Sequence, residues 1–462
     1  MRRMFTQGQS TLEILIAFLI FASSLGAAIA VIFGGQSLSV DSTKANQALR
    51  FAREEIEIAR ASAIGNFADL VSASGTEREF IKERIVETID AHIKKVTVRV
   101  RWMTDPLRDQ HITLVTHVTD WRDLGDTGGD TGGGGTTGDW TNPRTLGSIN
   151  LSPGGNSATD LDVVNKIVYL VSQHSSQASD DFWVIDATNG ESPQTLSSTS
   201  TGPGLVAVDV AGAYAYAAND SVTAQLHIVD VSDTQTPRLA ASFQLPDVSG
   251  PGAAGNSVFY ASGRVYVGTK SATGPEFHIV DVSAPASPAA LGSFEIGADV
   301  NEIWVSGSYA YLATSNDNEE LKMLDVSDPA DILSAGVFNA TGTLDGKGLH
   351  LAGTTLYLGR AAGSGDELYV LDVSDPASVV ILGSNNVGAD INGIRVRDEL
   401  AFLGTSNSNK EFQVWNVADP TNMAEESSFN FPQVAAAVDY EDNLVYVAVR
   451  SNDGLRIITS GP

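Results

Sequence analysis

The sequence predicts a mainly β protein: a seven-bladed β-propeller preceded by a smaller module of one long N-terminal α-helix and a small antiparallel sheet. Two observations predict the propeller. A nine-residue segment recurs in seven copies at steps of 43 to 51 residues, and an apolar strand pattern precedes each copy at constant spacing. The helix is predicted by an apolar run near the N-terminus that continues as an amphipathic pattern. The 462 residues suffice for two or more domains.

Composition and charge exclude several classes of protein. The chain has no cysteine, which excludes disulfides, thiolate metal sites and cysteine nucleophiles. Its net charge of -28 excludes a basic nucleic-acid-binding protein, so we expect no nucleic-acid partner. The charge is unevenly divided, because residues 1–142 carry 15 basic and 18 acidic residues whereas residues 143–462 carry 13 and 38. We expect the C-terminal part to have a solvated acidic surface.

The N-terminal part contains a candidate membrane segment at about residues 14–33. This run has no charged side chain, and its 20 residues would form a helix of roughly 30 Å, enough to cross a bilayer core. Arg2 and Arg3 precede the run, and the positive-inside rule therefore places the N-terminus in the cytoplasm. We expect a single-pass membrane protein whose C-terminal domains lie outside, at the cell surface or on a pilus.

Glu13 stands at the edge of the apolar run, where a carboxylate is costly unless a positive charge neutralises it. With Gly8 and Gln9 before it, this leader resembles that of type IV prepilins. The resemblance implies that a prepilin peptidase removes residues 1–8 between Gly8 and Gln9, and that the new N-terminus is methylated. It also implies that Glu13 pairs with other pilin subunits during filament assembly. An uncleaved membrane anchor and a conventional secretory signal are the alternatives.

Residues 9–124 are predicted to form the pilin-like module. Apolar residues from Ala45 to Ala63 recur at steps of three and four, which predicts a long amphipathic helix ending near Gly65. Alternating apolar and polar residues predict three strands at 80–88, 96–102 and 111–121. A long helix on a small antiparallel sheet is how pilins are built, and the stretches 48–60 and 113–122 resemble the minor-pilin branch of the family.

A Gly-rich linker is predicted at residues 125–142, followed by the propeller at 143–462. The linker is rich in glycine and lacks apolar side chains over residues 125–139, so it behaves as a flexible tether. The propeller repeats are clearest in the segment Leu368-Tyr-Val-Leu-Asp-Val-Ser-Asp-Pro. The residues aligned with its first aspartate are Asp186, Asp230, Asp281, Asp325, Asp372, Asn416 and Thr459.

The repeat motif Val-Asp-Val-Ser-Asp-Pro resembles the LVIVD-repeat family of propellers, which is known mainly from surface or secreted domains. The chain ends after the third strand of the seventh copy, while an additional strand at 144–149 precedes the first copy. We therefore expect these two strands to pair, which closes the ring and removes an exposed sheet edge.

Functional residues are expected where the repeats differ, because the repeated aspartates fit a role in turns. One candidate binding loop contains Asn316, Asp317, Asn318, Glu319 and Glu320, whose oxygen atoms suit Ca²⁺ although their spacing matches no complete Ca²⁺ loop. Apart from Ca²⁺ at this loop we expect no cofactor and no other metal. A second set lies on the innermost strand and differs from blade to blade: Asp162, Asp209, Phe259, Trp304, His350, Arg395 and Asp439.

The function expected from the sequence is a minor or tip type IV pilin-like subunit that displays an acidic propeller for adhesion or ligand binding. Its expected partners are the prepilin peptidase, other pilin subunits, the membrane and an extracellular surface, glycan or protein. The alternative is a membrane-anchored surface propeller that binds or scaffolds without entering a filament. A third possibility is an extracytoplasmic enzyme, although no catalytic motif or convergent histidine set is present.

Overall fold

A computed structural model describes residues 44–59 with gaps at 46, 54 and 57, residues 70–119 with gaps at 78–79, 89–92 and 106–107, and most of residues 136–461. In that last range the gaps are 152–155, 175–178, 203, 251 and 452. The chain divides into two compact units, Met1–Leu124 and Gly125–Pro462.

The described part of the first unit is a four-stranded antiparallel sheet covered by a helical segment. The strands follow one another in the sheet and are β1 (Ala73–Glu77), β2 (Phe80–Thr88), β3 (Ile93–Asp105) and β4 (Arg108–Thr119). Helical residues lie between 44 and 59, and Phe51 and Ile56 of this segment pack with Phe80, Val98 and Trp102 of the sheet. The three predicted strands are present. Strand β1 has no apolar alternation because residues 73–76 are exposed, and the sequence therefore did not indicate it.

The predicted fold class is wrong in its N-terminal part. Eight four-stranded sheets dominate the described residues, and the helical residues described in this unit form one short segment rather than the long N-terminal helix of a pilin-like module. The apolar spacing of Ala48, Ala52, Ile56 and Ala59 is satisfied by about four helical turns. Those turns cover one face of the sheet, so the packing of this unit accounts for the pattern without a longer helix.

The predicted single-pass membrane localisation is also wrong for the part of the chain that the structure describes. No helix among those residues is long and apolar enough to cross a membrane. The leader 1–8 with Gly8 and Gln9, the assembly residue Glu13 and the segment 14–33 all lie outside the described residues.

The second unit contains seven four-stranded antiparallel sheets, and we number these blades 1 to 7 along the chain. In blades 1 to 6 the strands follow the chain order from the inner to the outer edge, whereas in blade 7 the outermost strand is the first strand of the unit. Blade 1 contains β6 (Asn156–Val164), β7 (Ile167–His174), β8 (Phe182–Asp186) and β9 (Gln194–Thr199). Blade 2 contains β10 (Leu205–Ala211), β11 (Tyr214–Asn219), β12 (Leu226–Asp230) and β13 (Arg238–Phe243). Blade 3 contains β14 (Gly255–Ala261), β15 (Arg264–Thr269), β16 (Phe277–Asp281) and β17 (Ala289–Phe294).

The remaining blades follow the same plan. Blade 4 contains β18 (Val300–Ser306), β19 (Tyr309–Thr314), β20 (Leu321–Asp325) and β21 (Leu333–Phe338). Blade 5 contains β22 (Gly346–Ala352), β23 (Thr355–Arg360), β24 (Leu368–Asp372) and β25 (Val380–Asn385). Blade 6 contains β26 (Ile391–Arg397), β27 (Leu400–Thr405), β28 (Phe412–Asn416) and β29 (Ala424–Phe429), with a 3₁₀ turn at Pro420–Asn422. Blade 7 contains β30 (Ala435–Glu441), β31 (Leu444–Val449), β32 (Asp453–Gly461) and β5 (Asp139–Asn150).

The ring closes as predicted, because the first strand of the unit completes the last blade. Strand β5 pairs antiparallel with β32, with Ile149 opposite Leu455 and Arg144 opposite Thr459. Each inner strand contacts the inner strand of the next blade, and β30 contacts β6. Strand β5 begins at Asp139, inside the predicted linker. Trp140 of β5 is buried against Phe402 of blade 6, with ring centroids 4.7 Å apart.

Repeated acidic residues form hydrogen bonds to the segments that connect one blade to the next. Glu276, Glu320, Glu367 and Glu411 immediately precede the third strands of blades 3 to 6 and are buried. Each accepts a hydrogen bond from a backbone N–H twenty residues further on. These carboxylates therefore satisfy buried donors in the chain that leads to the next blade.

Candidate functional site

The seven inner strands β6, β10, β14, β18, β22, β26 and β30 surround the centre of the ring. The start of each inner strand pairs with the end of the second strand, as Leu205 does with Asn219. The inner strands therefore begin at the same end of the ring as the loops between second and third strands, and we call this end the loop face. Every inner strand has a β-bulge near its beginning. Bulges redirect side chains, here next to the central channel.

Bulge residues join neighbouring blades. Asn256 Nδ2 donates to Val300 O at 3.0 Å, and Asn301 Nδ2 donates to Gly346 O at 2.7 Å. Asn392 Nδ2 donates to the carbonyl of residue 435 at 2.9 Å, and the Thr159 hydroxyl donates to that of residue 205 at 2.8 Å. These bonds fix the positions of adjacent inner strands, and a binding site built on them is preorganised.

Deeper in the channel, the blade-specific residues predicted from the sequence form a ring of contacts. On the polar side, Asp439, Asp162 and Asp209 each accept a backbone N–H from the next blade. On the aromatic side, the ring centroids of Phe259 and Trp304 are 5.5 Å apart, and those of Trp304 and His350 are 5.0 Å apart.

Arg395 completes this layer. Its Nε lies 3.0 Å from Asp439 Oδ1, and its guanidinium lies 5.9 Å from the centroid of Trp304. His350 is buried, and burial together with Arg395 and Arg397 lowers its pKa well below the usual value. His350 is therefore neutral at pH 7 and adds no positive charge to the channel.

A cavity of about 120 Å³ lies between this layer and the loop face. Its polar wall includes Asp160 from blade 1, Asp209 from blade 2 and Glu302 from blade 4. The aromatic side chains of Phe259 and Trp304 and the side chain of Arg395 also line the cavity. Asp160 and Glu302 precede the core residue of their strands, so each follows directly after the bulge.

Burial raises the pKa of each of these three carboxyl groups. The pKa of Asp160 rises to about 7 and that of Asp209 to about 7, chiefly through desolvation. Desolvation and repulsion from Asp160 raise the pKa of Glu302 to about 8, although Arg395 opposes this. Part of the surface of Asp160 and Glu302 remains accessible in the channel. The cavity thus holds carboxyl groups that titrate close to neutral pH.

Asp209 has an unsatisfied oxygen atom. The side chain is only 5% exposed; its Oδ2 accepts the Tyr260 N–H, but Oδ1 has no hydrogen-bond partner among the described residues. A buried carboxylate oxygen without a donor is costly. It marks a place where a ligand with a hydrogen-bond donor would be stabilised.

The loop predicted to bind a ligand lies on the loop face but does not line this cavity. Asp317 and Asn318 are exposed, and Asn316 Oδ1 accepts the Asn318 N–H at 3.0 Å. Glu319 pairs with Lys322 at 2.9 Å. Glu320 is buried and faces the blade interior, where it accepts a hydrogen bond from Arg360.

The structure thus places four of these five residues on a surface turn and the fifth in the core. Among the described residues no group of three or more histidine and acidic side chains is arranged to hold a metal ion. Ligand binding by this loop stays a prediction.

Sequence reasoning missed Asp160 and Glu302, although a signal was present. The residues at this position in the seven blades are Asp160, Ala207, Ser257, Glu302, Gly348, Gly393 and Ala437. Five of these aligned residues are small and two are acidic, and such a departure from the repeat indicates a functional site. The bulge before this position, which directs it to the channel, was not predictable from the apolar spacing.

Comparison with known proteins supports the repeat assignment. The LVIVD repeat family matches residues 206–244, 265–295, 297–339 and 361–387, which lie in blades 2 to 5. The predicted resemblance to LVIVD repeats is confirmed for these segments, whereas no comparison supports the prepilin resemblance. A search of curated proteins found no match to the chain.

Solved structures with a similar fold include virginiamycin B lyase from Staphylococcus aureus, in a catalytically inactive form with quinupristin. It is 10% identical, with a TM-score of 0.52, and the match covers 69% of this chain and 99% of the lyase. The WD40 β-propeller domain of Doa1 is 10% identical with a TM-score of 0.50, covering 69% of this chain and 97% of that domain. At this identity the likeness concerns the fold alone. The chain contains a β-propeller built from repeats.

Proposed function

We propose that the propeller is a ligand-binding module and that the cavity at the loop face of its channel is the binding site. The observation that carries this proposal is the contrast between a repeated scaffold and an unrepeated cavity wall. Asp160, Asp209, Glu302, Trp304 and Arg395 occupy related inner-strand positions, yet they differ in chemistry and surround one cavity. Concave sites with a few convergent polar groups are the usual form of ligand sites.

The scaffold around the cavity suits binding because it is already ordered. Hydrogen bonds from Asn256, Asn301 and Asn392 tie neighbouring blades together next to the cavity. A ligand therefore loses little affinity to ordering of the protein. Adhesion, the specific use expected from the sequence, would require this ligand to be part of a surface.

Arrays of immobilised glycans and peptides, probed with the full chain, test the proposal. Ala207 lines the cavity, so Ala207→Trp should fill it and abolish binding to any array ligand. Asn318→Trp places the same side chain on the exposed loop outside the cavity and should leave binding intact. Circular dichroism and thermal unfolding would check that both variants are folded. Binding that survives Ala207→Trp but is lost in Asn318→Trp would assign the site to the loop and overturn the proposal.

A second candidate function is proton-transfer catalysis in the same cavity. It is favoured by carboxyl groups whose pKa values are about 7 and about 8, the range in which a general acid or base works at neutral pH. Chromogenic esters and glycosides incubated with the full chain would test it. Turnover that is lost in both Asp160→Asn and Glu302→Gln would support catalysis, and no turnover above background across the panel would contradict it.

A further inference from the structure

We propose that the group bound in the cavity is an organic cation, a primary ammonium on an alkyl chain, held by Asp160, Asp209 and Glu302. This inference rests on the proposed function, because it names the chemistry of the ligand at that site. The shared chemistry has two sources, the side chain of a lysine in a partner protein or a free small amine.

The charges of the cavity wall are the first reason. Asp160, Asp209 and Glu302 face one cavity, and the nearby Arg395 is engaged by Asp439 through Nε at 3.0 Å. The cavity therefore has more acidic groups than its one guanidinium balances. A cationic ligand would stabilise the ionised carboxylates, as a nearby positive charge does for any buried acid.

The hydrogen-bonding capacity of the wall is the second reason. Asn256 Nδ2 donates to both Val300 O and Asn301 Oδ1, so both of its amide hydrogens are used. Asn301 Nδ2 donates to both Gly346 O and Ser315 Oγ. These amide donors are occupied, and Asp209 Oδ1 has no hydrogen-bond partner among the described residues, so apart from Arg395 the charged groups of the wall are acceptors. An ammonium group, with three donors and no acceptor, matches this wall.

Size and wall chemistry set the shape of the ligand. A volume of about 120 Å³ is somewhat smaller than that of a cavity that holds one benzene molecule, which suits the tip of an alkylammonium rather than a whole sugar or peptide. Phe259 and Trp304 provide aromatic surface for the alkyl carbons and for the cation. We therefore expect the cationic tip to enter the channel while the rest of the ligand remains at the loop face.

A divalent metal fits the cavity less well. Ca²⁺ needs six to eight oxygen ligands close to one point. The three carboxyl groups come from blades 1, 2 and 4, and within the described ranges no set of acidic and histidine side chains is placed to hold a metal. An ammonium group needs at most three oxygen acceptors and therefore makes a smaller demand on this wall than Ca²⁺ does.

Binding should depend on pH. The titratable and charged groups around the cavity are Asp160, Asp162, Asp209, Glu302, His350, Arg395 and Asp439. Because burial raises the pKa of Asp160, Asp209 and Glu302, the protonated fraction of all three is high at pH 6 and decreases as the pH rises to 8.5. Affinity for an alkylammonium should therefore increase from pH 6 to pH 8.5, with release of protons on binding.

Titration calorimetry of the full chain with n-butylammonium, and with Nα-acetyl-lysine methylamide, tests the inference at both pH values. We expect both amines to bind more tightly at pH 8.5 and n-butanol, the neutral analogue, not to bind. Asp209→Asn and Glu302→Gln should each weaken binding at least about tenfold, the usual loss for a hydrogen bond to a charged group. Asp317→Asn removes a negative charge from the exposed loop and should leave affinity unchanged.

The possible outcomes test the chemistry of the ligand independently of the location of the binding site. Tighter binding of the lysine derivative supports a protein partner, and tighter binding of n-butylammonium supports a free amine. Equal binding of n-butanol, or binding of CaCl₂ that displaces the amines, would overturn the inference. Absence of amine binding, combined with an array ligand that Ala207→Trp abolishes, would overturn the cation but leave the proposed function standing.

Discussion

Two sets of acidic residues in the propeller differ in position and in electrostatics. The first set lies in the exposed turns that follow the third strands, where each carboxylate accepts the N–H of the residue two positions on at 2.8 to 3.0 Å: Asp186, Asp230, Asp281, Asp325 and Asp372. These hydrogen bonds lower the pKa of each turn aspartate. The second set, Asp160, Asp209 and Glu302, lies in the channel, where burial raises the pKa.

The difference indicates that repeated acidic residues have a structural role in this chain, whereas acidic residues that are not repeated are candidates for a functional role. The turn aspartate, which recurs in five of the seven blades, has a backbone donor two residues further on and stabilises the turn in its charged form. A channel acid such as Asp160 or Asp209 also accepts one backbone N–H, from the next blade, but burial outweighs this hydrogen bond, raises the pKa and makes the charged form costly. Proteins keep buried carboxyl groups of this kind where the groups bind a ligand or take part in a reaction.

The largest expected effect comes from a repeated acid that is buried. Glu320→Ala should destabilise the propeller by about 4 kcal/mol, because it leaves the fully buried guanidinium of Arg360 without its carboxylate. It also removes the acceptor of the Ala340 N–H. Urea denaturation of the full chain, followed by tryptophan fluorescence, would measure the loss.

The neighbouring Glu319→Ala is the matched control for this variant. Glu319 forms a more exposed ion pair with Lys322 at 2.9 Å, so its loss should cost less than about 1 kcal/mol. The double variant Glu320→Leu/Arg360→Leu should recover part of the stability, since it removes the unpaired buried charge. Equal losses in Glu320→Ala and Glu319→Ala would show that the buried pair is not a structural element.

The next effect concerns the channel acids and the pH dependence of stability. Their carboxyl groups keep protons in the folded state up to about pH 7 or about pH 8, whereas in the unfolded chain they release them near pH 4. Between these values the folded state binds more protons, so stability falls as pH rises. The double variant Asp160→Asn/Glu302→Gln should flatten this decline by roughly 1 to 2 kcal/mol, a value reduced for exposure to channel water.

Stability measured by urea denaturation from pH 4 to pH 9 would check this decline. Asp317→Asn is the control, because it removes one negative charge from the surface and should leave the slope unchanged. A slope that is the same in the channel double variant and the wild type would mean that these carboxyl groups titrate normally and are not desolvated.

Much of the propeller was predictable from the sequence, because each blade repeats the same requirements. The recurring aspartates and the alternating apolar residues predicted seven blades. The additional strand at 144–149 predicted that the ring closes by pairing with β32. The N-terminal unit has no internal repeat, so the length of its helix was predicted from a single apolar pattern. Ala48, Ala52, Ile56 and Ala59 satisfy both a short and a long helix, because their packing on the sheet requires only about four helical turns.

The candidate site was predictable only in part. Asp209, Trp304 and Arg395 were singled out because they break the repeat, and they do line the cavity. Asp160 and Glu302 were missed because a bulge, rather than regular alternation, brings them to the channel. Glu320 was grouped with the loop, yet its position just before a third strand places it in the core.

The smallest expected effect belongs to a turn aspartate. Asp281→Ala should destabilise the propeller only slightly, because it removes the acceptor of the Ser283 N–H, which lies 2.8 Å from Oδ1, in an exposed turn. Asp281→Asn keeps a side-chain oxygen at the same place and should destabilise it still less. Because hydrogen bonding lowers the pKa of Asp281, its contribution is present above pH 4 and is lost as pH falls below that value, opposite to the channel acids. Urea denaturation at pH 7 and pH 3 would measure both variants, and a cost for Asp281→Ala that persists undiminished at pH 3 would contradict a role for its charged form.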